Sequence, residues 1–251
     1  MRKVARDAVA RGTARRQSAL RLIRGEAGEE HRDEAAPRRT RRPSGTARQL
    51  AATTPPASGP RPPRLGEALQ KASRAVDRGY EQEALRILRP LKDRYPADPD
   101  VRELNGVALY RLGRWAAARK ELEAFVELTG SATQHPLLMD SIRALGRHTV
   151  VDRLWEELRA ASPAAEIMTE GRIVAAGSLA DRGRLPEAIK LLERGPLAPR
   201  RVAEHHLRLW YALADLHERA GDIPGARGLF RKVSAKDPAF VDVAERLSAL
   251  S

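Results

Sequence analysis

The chain has 251 residues, a formal net charge of +13 and no cysteine. The lack of cysteine excludes disulfides, thiolate metal sites and a cysteine nucleophile, and it favours a reducing cytoplasm, where we expect the protein. Aromatic residues make up only 4% of the chain, which favours close-packed helices, because strands prefer β-branched and aromatic side chains. No apolar run approaches the roughly 20 residues that a membrane-spanning helix needs.

The positive charge is concentrated at the N-terminus. Residues 1–65 contain 16 Lys and Arg against 6 Asp and Glu, whereas the remaining 186 residues contain 30 against 27. Residues 1–64 are also rich in proline and poor in large apolar side chains, so they bury too little surface to offset the entropy of ordering. We predict a disordered, basic, proline-rich tail and linker over 1–64. Two roles stay open for it: non-specific nucleic-acid binding through phosphates, or solubility alone.

From Leu65 to Gly130 the chain repeats with a period of 34 residues. On this period three pairs of small residues coincide, namely Ala72 with Gly106, Gly79 with Gly113, and Ala84 with Ala118. Apolar residues recur at spacings of three and four on both sides of each turn glycine, which predicts two helices joined by a glycine turn. The small residues let the two helices approach closely. Because one pair cannot bury its apolar stripes alone, we expect neighbouring pairs to stack.

The first two repeats differ in regularity. The first spans about 65–96 and contains Pro90 inside its second helix, where a missing hydrogen bond and a clash predict a kink. The second spans about 99–130 and is regular. Its Trp115 stands two residues after the turn glycine Gly113, and we expect that side chain to pack against the next helix pair.

The third and fourth repeats follow the same spacing. The third, about 136–163, keeps the turn residue Gly146, has Val151 at the small position of its second helix, and has Trp155 at a later core position. The fourth, about 165–197, has its expected small and turn residues at Ala176, Gly183 and Ala188.

The fifth repeat carries the most complete set of signature residues, which are Trp210, Leu213, Ala214, Gly221, Ala226, Phe230 and Pro238. A 34-residue helix-turn-helix unit with these residues resembles the tetratricopeptide repeat, TPR. The stretch from Ala239 to Leu250 predicts one more helix, with Glu245, Arg246 and Ser248 on a wet face. The resemblance covers about 65–250, and the alanine- and arginine-rich composition is typical of a high-GC bacterial proteome.

The resemblance implies an all-α fold over 65–251. It would be a right-handed α-solenoid of about five TPR units with a C-terminal capping helix. The first helices of the units would line a concave groove that binds a partner peptide or helix. The exposed groove positions would be Leu69, Ser73, Glu103, Val107, Tyr110, Arg111, Asp140, Arg143, Ile173, Tyr211, Asp215 and Glu218. The alternative is that these residues are ordinary helix surface or pack against the tail.

The sequence contains no recognisable catalytic constellation. It lacks a glycine-rich phosphate loop ending in Gly-Lys-Ser/Thr and a Gly-x-Ser-x-Gly nucleophile elbow. His205 and His206 are adjacent, so a helix would point them about 100° apart. We predict no catalytic residue, no cofactor and no metal site. The favoured function is a protein-interaction scaffold, and the alternative is a nucleic-acid- or ribosome-associated protein that uses the arginine-rich tail.

Overall fold

A computed structural model describes residues 62–250, which form eleven α-helices and no strand. The predicted tail over 1–64 lies outside the described residues, apart from its last three. In chain order the helices are α1 (Pro63–Asp77), α2 (Glu81–Arg94), α3 (Pro99–Arg111), α4 (Trp115–Thr129), α5 (His135–Ala144), α6 (His148–Ala161), α7 (Ala165–Asp181), α8 (Leu185–Glu193), α9 (Glu204–Arg219), α10 (Ile223–Ser234) and α11 (Val243–Ala249). None of these helices is long and apolar enough to cross a membrane.

The described residues divide into two compact units, 62–134 and 135–250. In the first unit α1 pairs with α2 and α3 pairs with α4, and α3 packs against both helices of the preceding pair. In the second unit the pairs are α5 with α6, α7 with α8, and α9 with α10. The first helices α5, α7 and α9 contact one another in turn, and α11 packs against α10. The predicted all-α repeat fold is confirmed.

The five predicted turn glycines end their helices in the same way. Each has a positive φ between 70° and 82°, which a residue without a Cβ adopts cheaply. The glycine N–H bonds to the carbonyl three residues earlier, and the next N–H bonds to the carbonyl five residues earlier. This pair of bonds is the Schellman motif, which satisfies carbonyls left over at a helix end. The glycines are Gly79, Gly113, Gly146, Gly183 and Gly221.

One of these turns gives a direct stability test. Gly183 has φ +76°, so Gly183→Ala should lower the free energy of unfolding by about 1–2 kcal/mol, because an L side chain is strained there. Gly228→Ala is the matched control, since Gly228 lies inside α10 and a Cβ added there would contact nothing within 4 Å. It should raise stability by about 0.5–1 kcal/mol. Urea unfolding followed by circular dichroism measures both, and changes of the same sign would contradict the assignment.

The small residues of the repeats are buried where helices approach closely. A Cβ on Gly106 would lie only 2.6 Å from Leu122 Cδ2 across the α3–α4 contact. The signature side chains Trp210, Leu213 and Phe230 are buried, whereas Pro238 is exposed after the end of α10. The alanines at the predicted small positions are all at most 1% exposed; they are Ala72, Ala84, Ala118, Ala176, Ala188, Ala214 and Ala226.

One local expectation needs correction. The last helix begins at Val243 rather than near Ala239, because the chain first turns to bury Phe240, whose ring centroid lies 6.0 Å from that of Tyr211. Trp115 packs edge-on against Tyr110 of its own helix pair, with ring centroids 5.3 Å apart. Pro90, where we predict a kink, lies inside α2, which continues to Arg94.

Candidate functional site

The structure corrects the exposure expected of the groove residues. Seven of the twelve are buried, namely Leu69, Tyr110, Asp140, Arg143, Ile173, Tyr211 and Asp215. The other five, Ser73, Glu103, Val107, Arg111 and Glu218, are partly exposed. Contacts within each unit cover these side chains. Tyr110 packs against Trp115, and Tyr211 packs against Phe230 and Phe240. Arg143 and Asp140 bind each other where α5 and α7 meet.

In the first unit the remaining open positions lie on α1 and α3. Ser73 belongs to α1, while Val107 and Glu103 belong to α3, and the two helices contact each other. Glu103 accepts a hydrogen bond from Gln134 Nε2 at 2.6 Å. The result is a strip with one apolar and two polar side chains, which we call the α1–α3 strip (Ser73, Glu103, Val107).

In each unit an arginine on one first helix contacts a carbonyl near the C-terminal end of the preceding first helix. Arg111 Nη1 donates to the Val76 carbonyl at the end of α1, at 2.5 Å. In the second unit Arg219 Nη2 approaches the Ala180 carbonyl near the end of α7, at 3.5 Å. A cation is favoured there because the C-terminus of a helix carries partial negative charge. Both arginines stand two residues before a turn glycine, a signal in the sequence that the repeat spacing could have exposed.

Arg143 joins α5 to α7 through a buried ion-pair cluster. Its Nη1 donates to Asp140 Oδ1 at 2.9 Å, and its Nε donates to Asp181 Oδ2 at 2.7 Å. The side chain is 3% exposed. Gly177 makes room for it, since a Cβ there would lie 2.7 Å from Nη1. The predicted site residues Asp140 and Arg143 therefore serve first to hold two helices together.

Arg246 closes the C-terminal end of the second unit. Its Nη2 donates to Asp215 Oδ1 at 2.9 Å and to Glu218 Oε2 at 2.7 Å. The guanidinium carbon lies 5.0 Å from the ring centroid of Phe230. Burial alone would lower the pKa of Arg246, but the hydrogen bonds and charges of Asp215 and Glu218 outweigh burial, so the pKa is raised. Arg246 therefore pairs with side chains of α9, whereas the sequence pattern predicted it on a solvent-exposed face.

Tyr211 also anchors the C-terminal segment. It is fully buried, its ring stacks edge-on with Phe230 at 5.4 Å between centroids, and its hydroxyl donates to Asp242. The periodic pattern alone could not reveal Asp242 or Arg246 as partners, because both lie on a separate segment that reaches α9 only in the folded chain.

The polar groups of the described residues form structural contacts rather than a metal site. His206 Nδ1 accepts from the Ala203 N–H at 3.0 Å, and His217 Nδ1 lies 2.7 Å from Asp222 Oδ2. No group of three or more His, Cys, Asp or Glu side chains in 62–250 is arranged to hold a metal ion. What the first helices offer is a surface that combines ion-paired side chains with a few apolar positions.

Comparisons with known proteins agree with this architecture. Residues 207–250 match the family model described as tetratricopeptide repeat. A comparison with curated proteins gives no significant match. A thermophilic TPR protein from Thermus thermophilus superimposes with a TM-score of 0.60 at 16% identity, over 74% of this chain and 97% of that one. A structure of nearly identical TPR-like repeats from Podospora anserina gives 0.54 at 20% identity, over 68% and 94%.

The match at residues 207–250 covers most of α9 and all of α10 and α11. It coincides with the repeat in which the signature residues Trp210, Ala214, Gly221 and Ala226 take their expected places. The two structural neighbours extend the same fold over most of the described residues. The described residues therefore share the fold of tetratricopeptide repeat proteins, and residues 207–250 match the family's repeat.

Proposed function

We propose that this chain is a cytoplasmic, non-catalytic scaffold that binds a partner peptide or helix on the surface of its first helices. Tetratricopeptide repeats are generally protein–protein interaction modules. The observation that carries the proposal is the α1–α3 strip, which combines the partly exposed apolar side chain of Val107 with the partly exposed polar side chains of Ser73 and Glu103. A mixed surface of this kind suits an extended peptide or an amphipathic helix.

Rigidity of the strip supports the same proposal. The Arg111 contact with the Val76 carbonyl fixes α3 against α1, and the Schellman turn at Gly79 fixes the C-terminal end of α1. A surface that is fixed before binding loses less conformational freedom when a partner docks, so more of the contact energy remains as affinity. The absence of cysteine from the sequence supports a reducing compartment.

The structure also decides which variants test the proposal. Tyr110 and Tyr211 are 2% and 0% exposed, so removing either ring would lower stability and obscure any loss of binding. Val107 packs against the buried cluster of the first unit but is partly exposed, so a charge placed there can reach solvent in the free protein at a smaller cost in stability than removal of a buried tyrosine ring. That charge would have to be desolvated in a complex.

We expect Val107→Glu to weaken partner binding on the order of tenfold, because 1.4 kcal/mol of desolvation suffices for that factor. Val126→Glu is the matched control, since Val126 is a partly exposed valine on α4, the second helix of the same pair. Full chains are immobilised, incubated with lysate of the source organism and analysed by quantitative mass spectrometry. Thermal unfolding confirms that both variants are folded.

The expected result is a set of proteins held by the unmodified chain and by Val126→Glu, and depleted on Val107→Glu. The proposal fails if all three proteins retain the same set to the same degree. It also fails if the unmodified chain retains nothing above a blank support.

A further inference from the structure

Equivalent clefts lie in the two units, each between the second helix of one repeat and both helices of the next. The repeat-2 cleft, of about 610 Å³, is bounded by α2, α3 and α4. The repeat-4 cleft, of about 460 Å³, is bounded by α6, α7 and α8. Neither is lined by a residue of the α1–α3 strip. Because the same repeat spacing builds both, their linings can be compared position by position.

In the repeat-2 cleft one carboxylate pairs with two cations. Glu121 accepts from Lys92 Nζ at 2.8 Å and from Arg102 Nη1 at 2.6 Å. Its side chain is only 7% exposed. A carboxylate so nearly buried needs this pairing, since an uncompensated charge is costly away from water. The protein thus supplies its own anion to this cleft.

The repeat-4 cleft keeps the cations and lacks that carboxylate. Arg159 stands 13 residues after the turn glycine Gly146, as Lys92 does after Gly79. Arg172 stands 11 residues before Gly183, as Arg102 does before Gly113. Glu121 stands 8 residues after Gly113 in the repeat-2 cleft, and Leu191 stands 8 residues after Gly183 in the repeat-4 cleft.

Further charges around the repeat-4 cleft leave it positive. Lys190 and Arg194 add two cations to the lining. The two carboxylates of the lining are already engaged with arginines: Glu156 accepts from Arg159 at 2.6 Å, and Glu187 accepts from Arg184 at 3.0 Å. Both pairs are about half exposed, so water screens them and the two carboxylates reduce the positive potential in the cleft only weakly.

Arg172 is held in place by Trp155 and by the Leu191 carbonyl, and its Nε–H has no hydrogen-bond partner among the described residues. Its guanidinium carbon lies 5.5 Å from the ring centroid of Trp155, and its Nη1 donates to the Leu191 carbonyl at 3.1 Å. Its Nε is also buried. Burial and the nearby charges of Arg159 and Arg194 lower its pKa. A carboxylate in the cleft would offset the positive charge of this guanidinium, which lines the cleft and can donate charge-assisted hydrogen bonds to it.

We propose that the repeat-4 cleft binds a side-chain carboxylate of an acidic partner peptide, in the place that Glu121 takes in the repeat-2 cleft. The proposal rests on the proposed scaffold function and gives it a second surface with a defined partner chemistry. A peptide carboxylate is the ligand we assign, because the chain itself fills the equivalent place with a glutamate. The apolar lining of Leu179 and Leu191 would contact the peptide beside its charge.

The test is an NMR titration of the full chain labelled with ¹⁵N, with a short peptide of alternating glutamate and alanine. We expect the Arg172 Nε–H signal to shift saturably, and a peptide with glutamine in place of glutamate to leave it unchanged. Leu191→Glu should weaken binding at least about tenfold, because it places a carboxylate where the ligand would sit. Leu191→Gln introduces a side chain of the same length as glutamate without the charge, and it should bind the peptide at least about tenfold more tightly than Leu191→Glu does.

The unmodified chain, Leu191→Glu and Leu191→Gln share the basic residues 1–64, so peptide bound to that segment cannot cause a difference in affinity between them. The proposal is overturned if the Arg172 signal does not move, or if Leu191→Glu binds as tightly as Leu191→Gln. It is also overturned if inorganic phosphate saturates the signal at a lower concentration than the peptide. Such a failure differs from failure of the scaffold proposal, which depends on Val107→Glu at a separate surface.

Discussion

Arg143→Met should lower the free energy of unfolding by about 3–5 kcal/mol, the loss typical when one partner of a buried ion pair is removed. Methionine keeps much of the length of arginine but donates no hydrogen bond. It would leave Asp140, which is 4% exposed, without the guanidinium that binds it at 2.9 Å. Asp181 would lose its bond from Nε as well. Denaturant unfolding followed by circular dichroism measures the loss.

Two further variants show whether the charge is the cause. Asp140→Asn added to Arg143→Met should recover part of the lost stability, because it removes the uncompensated carboxylate. Arg153→Met should change stability by less than about 1 kcal/mol, since the Arg153–Glu157 pair spans 3.5 Å and both side chains are more than half exposed. Equal losses for Arg143→Met and Arg153→Met would contradict the assignment of a buried clamp.

Phe230→Ala should also cost about 3–5 kcal/mol of stability, through lost apolar burial and the cavity left behind. Phe230 is fully buried on α10. Its ring contacts Tyr211 edge-on and lies beneath the guanidinium of Arg246. Removing the ring therefore weakens the contacts that hold α9, α10 and α11 together. Tryptophan fluorescence across a urea titration measures the loss, with Trp115 and Trp155 replaced by phenylalanine in both proteins so that the signal comes from Trp210 on α9.

The matched control for Phe230 lies on the same helix. Ile223, at the start of α10, is 36% exposed, so Ile223→Ala should change stability by less than about 1 kcal/mol. If the two variants unfold at the same urea concentration, Phe230 does not carry the packing of this end of the chain. A change in the slope of the titration would instead indicate a less compact folded state.

The repeat-2 and repeat-4 clefts have the same arrangement of helices but differ in the charges that line them. The repeat spacing fixes where Arg102 and Arg172 stand, and a single position then decides whether the chain supplies an anion. Glu121 closes the first cleft, whereas Leu191 leaves the second without that carboxylate. Function in a repeat protein can therefore change at one residue without changing the helices that present it.

The sequence by itself determined the helical pairs, their turns and their close contacts. Gly183 is needed because one position requires a positive φ, and Ala188 is needed because two helices meet there. Both requirements act locally, within one helix pair, and they recur at a fixed spacing. Periodicity therefore exposes them without any knowledge of the tertiary structure.

The tertiary structure decided which side chains remain available. Tyr110 and Tyr211 occupy positions that the repeat pattern places on the first helices, yet both are buried. Tyr110 packs against Trp115, and Tyr211 packs against Phe240 and donates to Asp242. The position of Arg246 over Asp215 likewise depends on a turn between α10 and α11. Exposure and ion pairing depend on contacts between residues far apart in the chain, and a repeat period carries no information about those contacts.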